Sequence, residues 1–536
     1  MNRFRFVISA VSFLFYTSVA LAQKPGAPID IIHYRFLVEI NDGNDSIRGD
    51  AEITFRALKE SGLIKLDLVS VDGSGKGMQT LDIREGDRPL DFSHHQDELE
   101  IHFNPAIRDG EIKKIRIRYT GIPADGLVIS TNKYHHRTFF GDNWPNRAHH
   151  WLPCVDHPAD KASVEFIILA PEHYQVVSNG LKTEEINLPG HIKQTHYEET
   201  AALATKVMVF GAADFAVNYP GETDCIPVYS WIYPEDREKG FYDYAQALEI
   251  LPFFISHIGP YAYRKLADVQ SKTMFGGMEN AGAIFYSENS VTGDRKSEAL
   301  LTHEIAHQWF GNSATEKDWR HLWLSEGFAT YMTHLYLEQK YGRDTLVRRI
   351  KDDRETIIAF SKKRNTPVVD TAVKNGFMQL LNPNSYQKGG WVLHMLRHRL
   401  GDSVFWKGIR NYYFQFAGHN ADTEDFRKAM EETSGVDLQS FFQQWLYTPG
   451  QPVLRTASKY DRKTRQWVIS IEQLQDHLFE FPLEISIESG SQINRESLLI
   501  RERKTLLPTG YKTNLTKIIL DPDSNLLFEE NTKESN

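Results

Sequence analysis

Cysteine is scarce in this chain: Cys154 and Cys225 are the only two in 536 residues. Two thiols cannot build a disulfide framework, and their separation is not that of a metal knuckle. An oxidising compartment would permit them to pair, and the plainer reading is two buried thiols. Long apolar runs are missing once the first two dozen residues are past, so no later segment reads as a membrane span. Positive charge is in deficit, with 61 Lys and Arg against 71 Asp and Glu and a net charge of −10. Without a basic patch or run the chain has nothing to hold a phosphate backbone, which excludes nucleic acid as a partner. Internal repeats and low-complexity segments are also absent. What remains, 41% hydrophobic and 25% charged residues, is ordinary globular composition, and the length implies two to four domains.

The N-terminus is the exception to the missing apolar runs. MNRFRF places Arg3 and Arg5 before FVISAVSFLFYTSVALA, which ends in Ala20-Leu21-Ala22. A basic start, an apolar middle and small residues at alternate positions read as a secretory signal cleaved after Ala22. The alternative, an uncleaved anchor, is disfavoured by the shortness of the run. The expectation is an exported protein, periplasmic or secreted, with no stable membrane anchor. Sequons at Asn44 and Asn514 carry meaning only in a host that glycosylates.

Periodicity divides the rest. From Asp30 to about Phe215, segments such as HYRFLVEI, DAEITFRAL and KKIRIRYTG alternate apolar and polar residues between polar turns, which predicts an antiparallel sandwich. DREKGFYDYAQALEILPFFISHIG then reads as one amphipathic helix closed by Gly259-Pro260. Strand-like pieces follow, then helices to Trp445, and alternation returns after the TPGQP loop. The expected fold is multidomain α+β. Residues 1–22 are the signal, 23–217 an N-terminal β-sandwich, 218–449 an α+β catalytic domain and 450–536 a small C-terminal β domain.

THEIAHQWFG, residues 302–311, carries H-E-x-x-H. On a helix His303 and His307 lie one turn apart on one face, so both imidazoles reach a single ion. Two ligands are too few for zinc, and Glu326 in WLSEGFATY is placed to return from the next helix as the third. Three protein ligands keep one position open, as catalysis requires. Glu304 is not spaced as a ligand and suits a general base. A surface helix with spare histidines is the rival reading. Leu301, Ile305, Trp309 and Phe310 argue against it, because they bury the helix, where two histidines and two glutamates without a metal would be costly. One Zn²⁺ per chain is expected.

This chemistry serves internal cleavage and end-trimming alike. An exopeptidase also needs a carboxylate for the free α-amine, and FGGMENAGAIF (275–285) offers Glu279 behind two glycines that permit close backbone approach. GGMEN, HEIAHQWFGN, WLSEGFATY and SYQKGGW, in this order and spacing, resemble the aminopeptidase N and leukotriene A hydrolase family of zinc metallopeptidases. LPCVDHPADKA and GPYAYRKLADVQ resemble that family as well, so the likeness runs clearly from about residue 152 to 445. It implies a thermolysin-like catalytic domain between β-sandwiches and hydrolysis of peptides with a free N-terminus. It also implies zinc on His303, His307 and Glu326, with Glu304 as base. Glu279 would bind the α-amine, within a substrate-binding stretch Gly276, Gly277, Met278, Glu279, Asn280 and Ala281 whose main chain holds the peptide. Tyr386 would stabilise the oxyanion, and Phe275 would line the first side-chain pocket. A thermolysin-type endopeptidase is not expected to carry GGMEN, and an inactive binding protein is not expected to keep the ligands, the base and the tyrosine.

Two departures stand out. Ten residues before Cys154, where the family has an acidic or amide residue as second amine ligand, this chain has Trp144. Asp142 either substitutes or is simply a turn residue. Larger members also carry a helical domain over the active site, so the short β region after residue 450 implies a more open cleft, or one closed by a partner subunit.

Overall fold

The computed structural model describes residues 28–531, so the expected signal at 1–22 lies outside the described residues. The first domain is built on an eight-stranded sheet that includes Ile29–Glu39, Ile47–Ala57, Ile112–Ile122, Lys161–Pro171 and Ile192–Ala204. Alternation is the reason these segments are strands. In Ile47–Ala57 the alternate positions Ile47, Gly49, Ala51, Ile53, Phe55 and Ala57 are buried while the residues between them are not. Neighbours pair antiparallel except Ile29–Glu39 with Lys161–Pro171, which run parallel with His33 opposite Ser163. The hairpin reading from alternation misses that pair, because its strands come from opposite ends of the domain. Two smaller sheets complete it, one containing Ser61–Asp67 and Glu98–Ile107, the other Phe210–Ala213 and Arg137–Gly141.

The second domain opens on a five-stranded sheet, in spatial order Ala216–Thr223, Ile226–Ile232, Leu266–Ser271, Ala283–Ser287 and Gly277–Met278. Its central strand, LADVQS, is buried at every residue and pairs in parallel on both sides, as a strand covered on both faces should. Gly277–Met278 forms the edge, antiparallel to Phe285–Tyr286. The helix expected over 236–258 is two helices, Arg237–Tyr244 and Ala247–His257. Tertiary contact overrides the period here. Asp243 is fully buried and its carboxylate accepts the backbone N–H groups of Thr292, Gly293 and Arg295. Meanwhile Ile250, Leu251, Phe253 and Phe254 turn the second helix into the core. Tight three-residue hydrogen bonds at Gln246, Leu248 and Glu249 make the corner.

After the helices, two small sheets form the C-terminal domain, one holding Val453–Asp461 and Gln466–Gln473, the other Phe481–Ser489 and Gln492–Ile500. The domain is tied back by Arg354, whose guanidinium donates to Asp521 and to the Leu526 carbonyl. The cysteines are not joined: Cys154 is buried, and Cys225 is exposed, against the reading of two buried thiols. Among the described residues no helix is long and apolar enough to cross a membrane.

Candidate metal centre and substrate cleft

The helix Glu298–His307 carries the motif, and Leu301 and Ile305 anchor it in the core with no exposed surface. Its face presents the Nε2 atoms of His303 and His307, 3.1 Å apart. Glu326, in the first turn of Trp323–Tyr341, brings Oε2 to 3.3 Å from both. Zinc bonds of about 2.0–2.1 Å in tetrahedral directions set donors about 3.3 Å apart, so the three atoms stand at three corners of such a site. The protonation chemistry agrees. Burial opposes charge on His307, yet Glu326, Glu279 and Glu304 outweigh it and push the imidazole up to about 10. A pocket with that excess of carboxylates is suited to a cation. His307 Nδ1 lies 3.1 Å from the Phe310 carbonyl, to which it donates, so Nε2 is the nitrogen that would release its proton and turn its lone pair to a bound cation.

Ser325 Oγ, 3.0 Å from the same Nδ1, ties the two ligand helices together, and Gly311 makes room for this contact. Its φ is +112°, and a Cβ there would stand 2.2 Å from Ser325 Oγ. Gly311→Ala is therefore expected to weaken zinc affinity by roughly 10- to 100-fold, as displaced supporting groups do. Competition with a chelator reads this directly, and unchanged affinity would overturn it.

Glu304 is buried beside the triad, its carboxylate so close to the backbone that a Cβ on Gly277 would lie 2.4 Å from it. Burial pushes this carboxyl up to about 8, with His307 pulling down and Glu279 and Glu326 pushing up. A dication would favour the ionised form. Tyr386 sits in a π-helical turn, Asn384–Lys388, a geometry frequent at functional sites. Its ring lies parallel to His303 at 6.0 Å, and burial raises its hydroxyl well above the usual range, so it remains a donor.

Two glycines that sequence reasoning missed bring Tyr386 and Glu326 together. A Cβ on Gly327 would be 2.8 Å from the Gly389 Cα, and one on Gly389 3.0 Å from the Gly327 Cα, so the two backbones touch. Their sequence gives no pattern of its own, only proximity: each glycine sits within three residues of a candidate site residue, in EGF and QKG. Gly327→Ala is expected to lower kcat by at least tenfold and to destabilise the fold by about 1–3 kcal/mol, the usual cost of overpacking. Steady-state kinetics and urea unfolding test it.

The cleft, about 260 Å³, is lined by the triad, Glu304 and Tyr386, by Phe275, Gly276, Gly277, Met278 and Glu279, and by Trp144, Leu300 and Leu381. Glu279 is 5% exposed, and its Oε1 has no hydrogen-bond partner. Its main chain is fixed to the metal helix, because Gln308 Nε2 and Asn312 Nδ2 both donate to its carbonyl. Asn280 and Ala281 are not in the cleft. Ala281 donates its N–H to the Val207 carbonyl and accepts from Asn179 Nδ2. Both its main-chain groups are thus spent on the first domain, which corrects the reading that they hold substrate. Asn280 is wholly buried outside the lining.

Asp142 does not replace the second amine ligand. It is 1% exposed, one oxygen taken by Arg147 at 2.6 Å and the other by Thr273 Oγ1 at 3.0 Å and Met274 N at 3.3 Å. It anchors the loop leading into Phe275–Glu279 instead. Asp142→Ala is expected to raise KM several-fold and to cost about 1–3 kcal/mol, because the donors of Arg147, Thr273 and Met274 lose a buried acceptor while Arg147 keeps Asp125 at 2.8 Å. Asp142→Asn, which keeps the contacts to Thr273 and Met274, should lose less, as kinetics and urea unfolding would show.

A buried glutamate beside a His-His-Glu donor set, on a helix pair against an edge strand, is the arrangement expected of a metallopeptidase centre. Comparison with known proteins agrees. Residues 242–445 match the peptidase family M1 domain and residues 31–206 the peptidase M1 N-terminal domain. Aminopeptidase 2 of Candida albicans is 24% identical over 92% of this chain and 56% of its own length. The leucyl aminopeptidase of Saccharolobus solfataricus is 26% identical over 81% and 56%. Tricorn protease-interacting factor F2 of Thermoplasma acidophilum is 27% identical over 80% and 55%. The chain spans about half the length of the curated relatives it matches. It belongs to peptidase family M1, the aminopeptidase N family of zinc-dependent metallopeptidases.

Proposed function

We propose that this protein is an exported zinc aminopeptidase that removes the first residue from peptides. The observation that carries the reading is Glu279, a buried carboxylate with an unpartnered oxygen in the same cleft as the His303–His307–Glu326 triad. An orphaned buried carboxylate is costly, and the α-ammonium of a peptide supplies the missing partner. Zinc held by the triad would supply Lewis-acid polarisation and make water acidic enough to react near neutral pH.

The chain's own residues do the rest. The Gly277–Met278 edge offers main-chain groups to an extended peptide. Glu279 takes the free amine and so places the first peptide bond over the catalytic groups. Glu304 accepts a proton from the attacking water and returns it to the departing amine. Tyr386 donates its hydroxyl to the oxygen on which charge develops. Export is supported by the basic, apolar and Ala-Leu-Ala succession of residues 1–22, and an N-terminus at Gln23 on protein recovered outside the cytoplasm is its test.

Activity is tested on zinc-loaded protein from Gln23, given one peptide with a free N-terminus and the same peptide N-acetylated, with products read by mass. Stepwise shortening of the free peptide alone is expected. Internal cuts in both would make the enzyme an endopeptidase and remove the role given to Glu279.

A further inference from the structure

The first domain contributes one residue to the lining of the cleft, Trp144. The indole is 2% exposed and packs edge-on against Phe275 at 6.1 Å and Trp319 at 5.3 Å. Arg147, which holds the Trp144 carbonyl at 2.8 Å, also lies over the Phe275 ring at 6.0 Å. The wall is thus held on both sides. Its Nε1 has no hydrogen-bond partner.

Of the three carboxylates that line the cleft, Glu326 belongs to the metal triad and Glu304 is the base. Asp142, two residues before Trp144 on the first domain, is consumed by Arg147, Thr273 and Met274. Glu279 alone is left for the α-amine. The remaining side chains of the lining, besides the histidines and Tyr386, are Trp144, Phe275, Met278, Leu300 and Leu381, none of which solvates a second charge. The space of about 260 Å³ lies below the usual range for ligand pockets, about 300–1,000 Å³, so it suits one residue.

Resting on the aminopeptidase reading, we propose that the cleft selects peptides whose first residue is apolar, with Trp144 as the specificity-determining residue. A leucine-, methionine- or phenylalanine-like side chain meets indole, phenyl and aliphatic surface. A lysine, arginine or glutamate side chain must leave its charge unpaired against an apolar wall. Trp144 also supplies no second anion to the amine, so recognition of the first residue rests on its apolar contact with the indole together with Glu279.

The test compares kcat and KM for aminoacyl substrates with one common leaving group and leucyl, phenylalanyl, lysyl or glutamyl heads, on the zinc-loaded chain. The wild type is expected to prefer leucyl over lysyl by at least tenfold in kcat/KM, within the discrimination apolar pockets achieve. Trp144→Glu should raise lysyl relative to leucyl by a further tenfold or more, through KM. Trp144→Phe should keep the leucyl preference. Trp144→Gln, uncharged and of similar length to glutamate, separates loss of the wall from gain of charge should the acidic variant fold poorly, and should narrow the preference without favouring lysyl. A wild type that takes lysyl as well as leucyl, or Trp144→Glu and Trp144→Gln variants whose leucyl-to-lysyl ratio stays within twofold of wild type, would overturn the proposal. A wild type that cuts peptides internally, or spares free N-termini, would instead sink the aminopeptidase reading.

Discussion

Glu304→Gln is expected to lower kcat by roughly a thousandfold, inside the range of about 10²–10⁴ for a general acid–base group, while zinc content and KM stay close to wild type. The substitution keeps size and shape, and that matters here. Glu304 is packed against the Gly277 backbone, where a smaller residue would leave a hole and a larger one would push the edge strand away. Glutamine fills the same space and can take no proton, so the loss isolates proton transfer from packing. Glu304 is not among the three mutually close donor atoms, so its replacement should leave metal binding intact. Metal analysis of the purified variant beside steady-state kinetics checks both halves. Activity within tenfold of wild type, or a loss that tracks lost zinc, would remove the base from Glu304.

What the sequence made legible was local. Alternation in HYRFLVEI and KKIRIRYTG marks strands, because one face of each meets the core. The i, i+4 histidines and Glu326 mark a metal centre, because helical spacing fixes where their donors point. The two glycines of FGGMEN mark close backbone approach, and Gly277–Met278 indeed lies on the open edge of its sheet. What stayed hidden depends on contacts far along the chain. The parallel pairing of Ile29–Glu39 with Lys161–Pro171 joins segments with most of the first domain between them. Asp142 reads as a turn residue until Thr273 and Met274 are seen to complete it. Ala281 stands in the right motif, yet Val207 and Asn179 have already claimed its backbone. Gly327 and Gly389 carry no pattern of their own, and only the crossing of two helices shows why neither tolerates a Cβ.

The largest stability effect is expected at the seam between the first two domains. Lys206 Nζ lies 2.5 Å from Glu316 Oε1, with both side chains almost wholly buried. Burial raises the Glu316 carboxyl above its ordinary range even with Lys206 beside it, so desolvation outweighs attraction and the pair is a poor source of net stability. Breaking it is another matter. Lys206→Met leaves Glu316 buried without its cation and is expected to cost about 3–5 kcal/mol, seen as a lower urea midpoint for loss of activity. Lys206→Met combined with Glu316→Leu leaves no charge stranded and should recover most of that loss. If the double variant is as unstable as the single one, packing rather than the stranded carboxylate sets the cost. The pair's effect on the site then separates from its effect on stability. Lys206 also lies over the Trp319 ring at 5.4 Å, and Trp319 touches Trp144 in the cleft wall. The double variant should therefore fold and bind zinc, yet show a several-fold lower kcat/KM, because two apolar side chains fix the position of the domain wall less strictly than one short ion pair does.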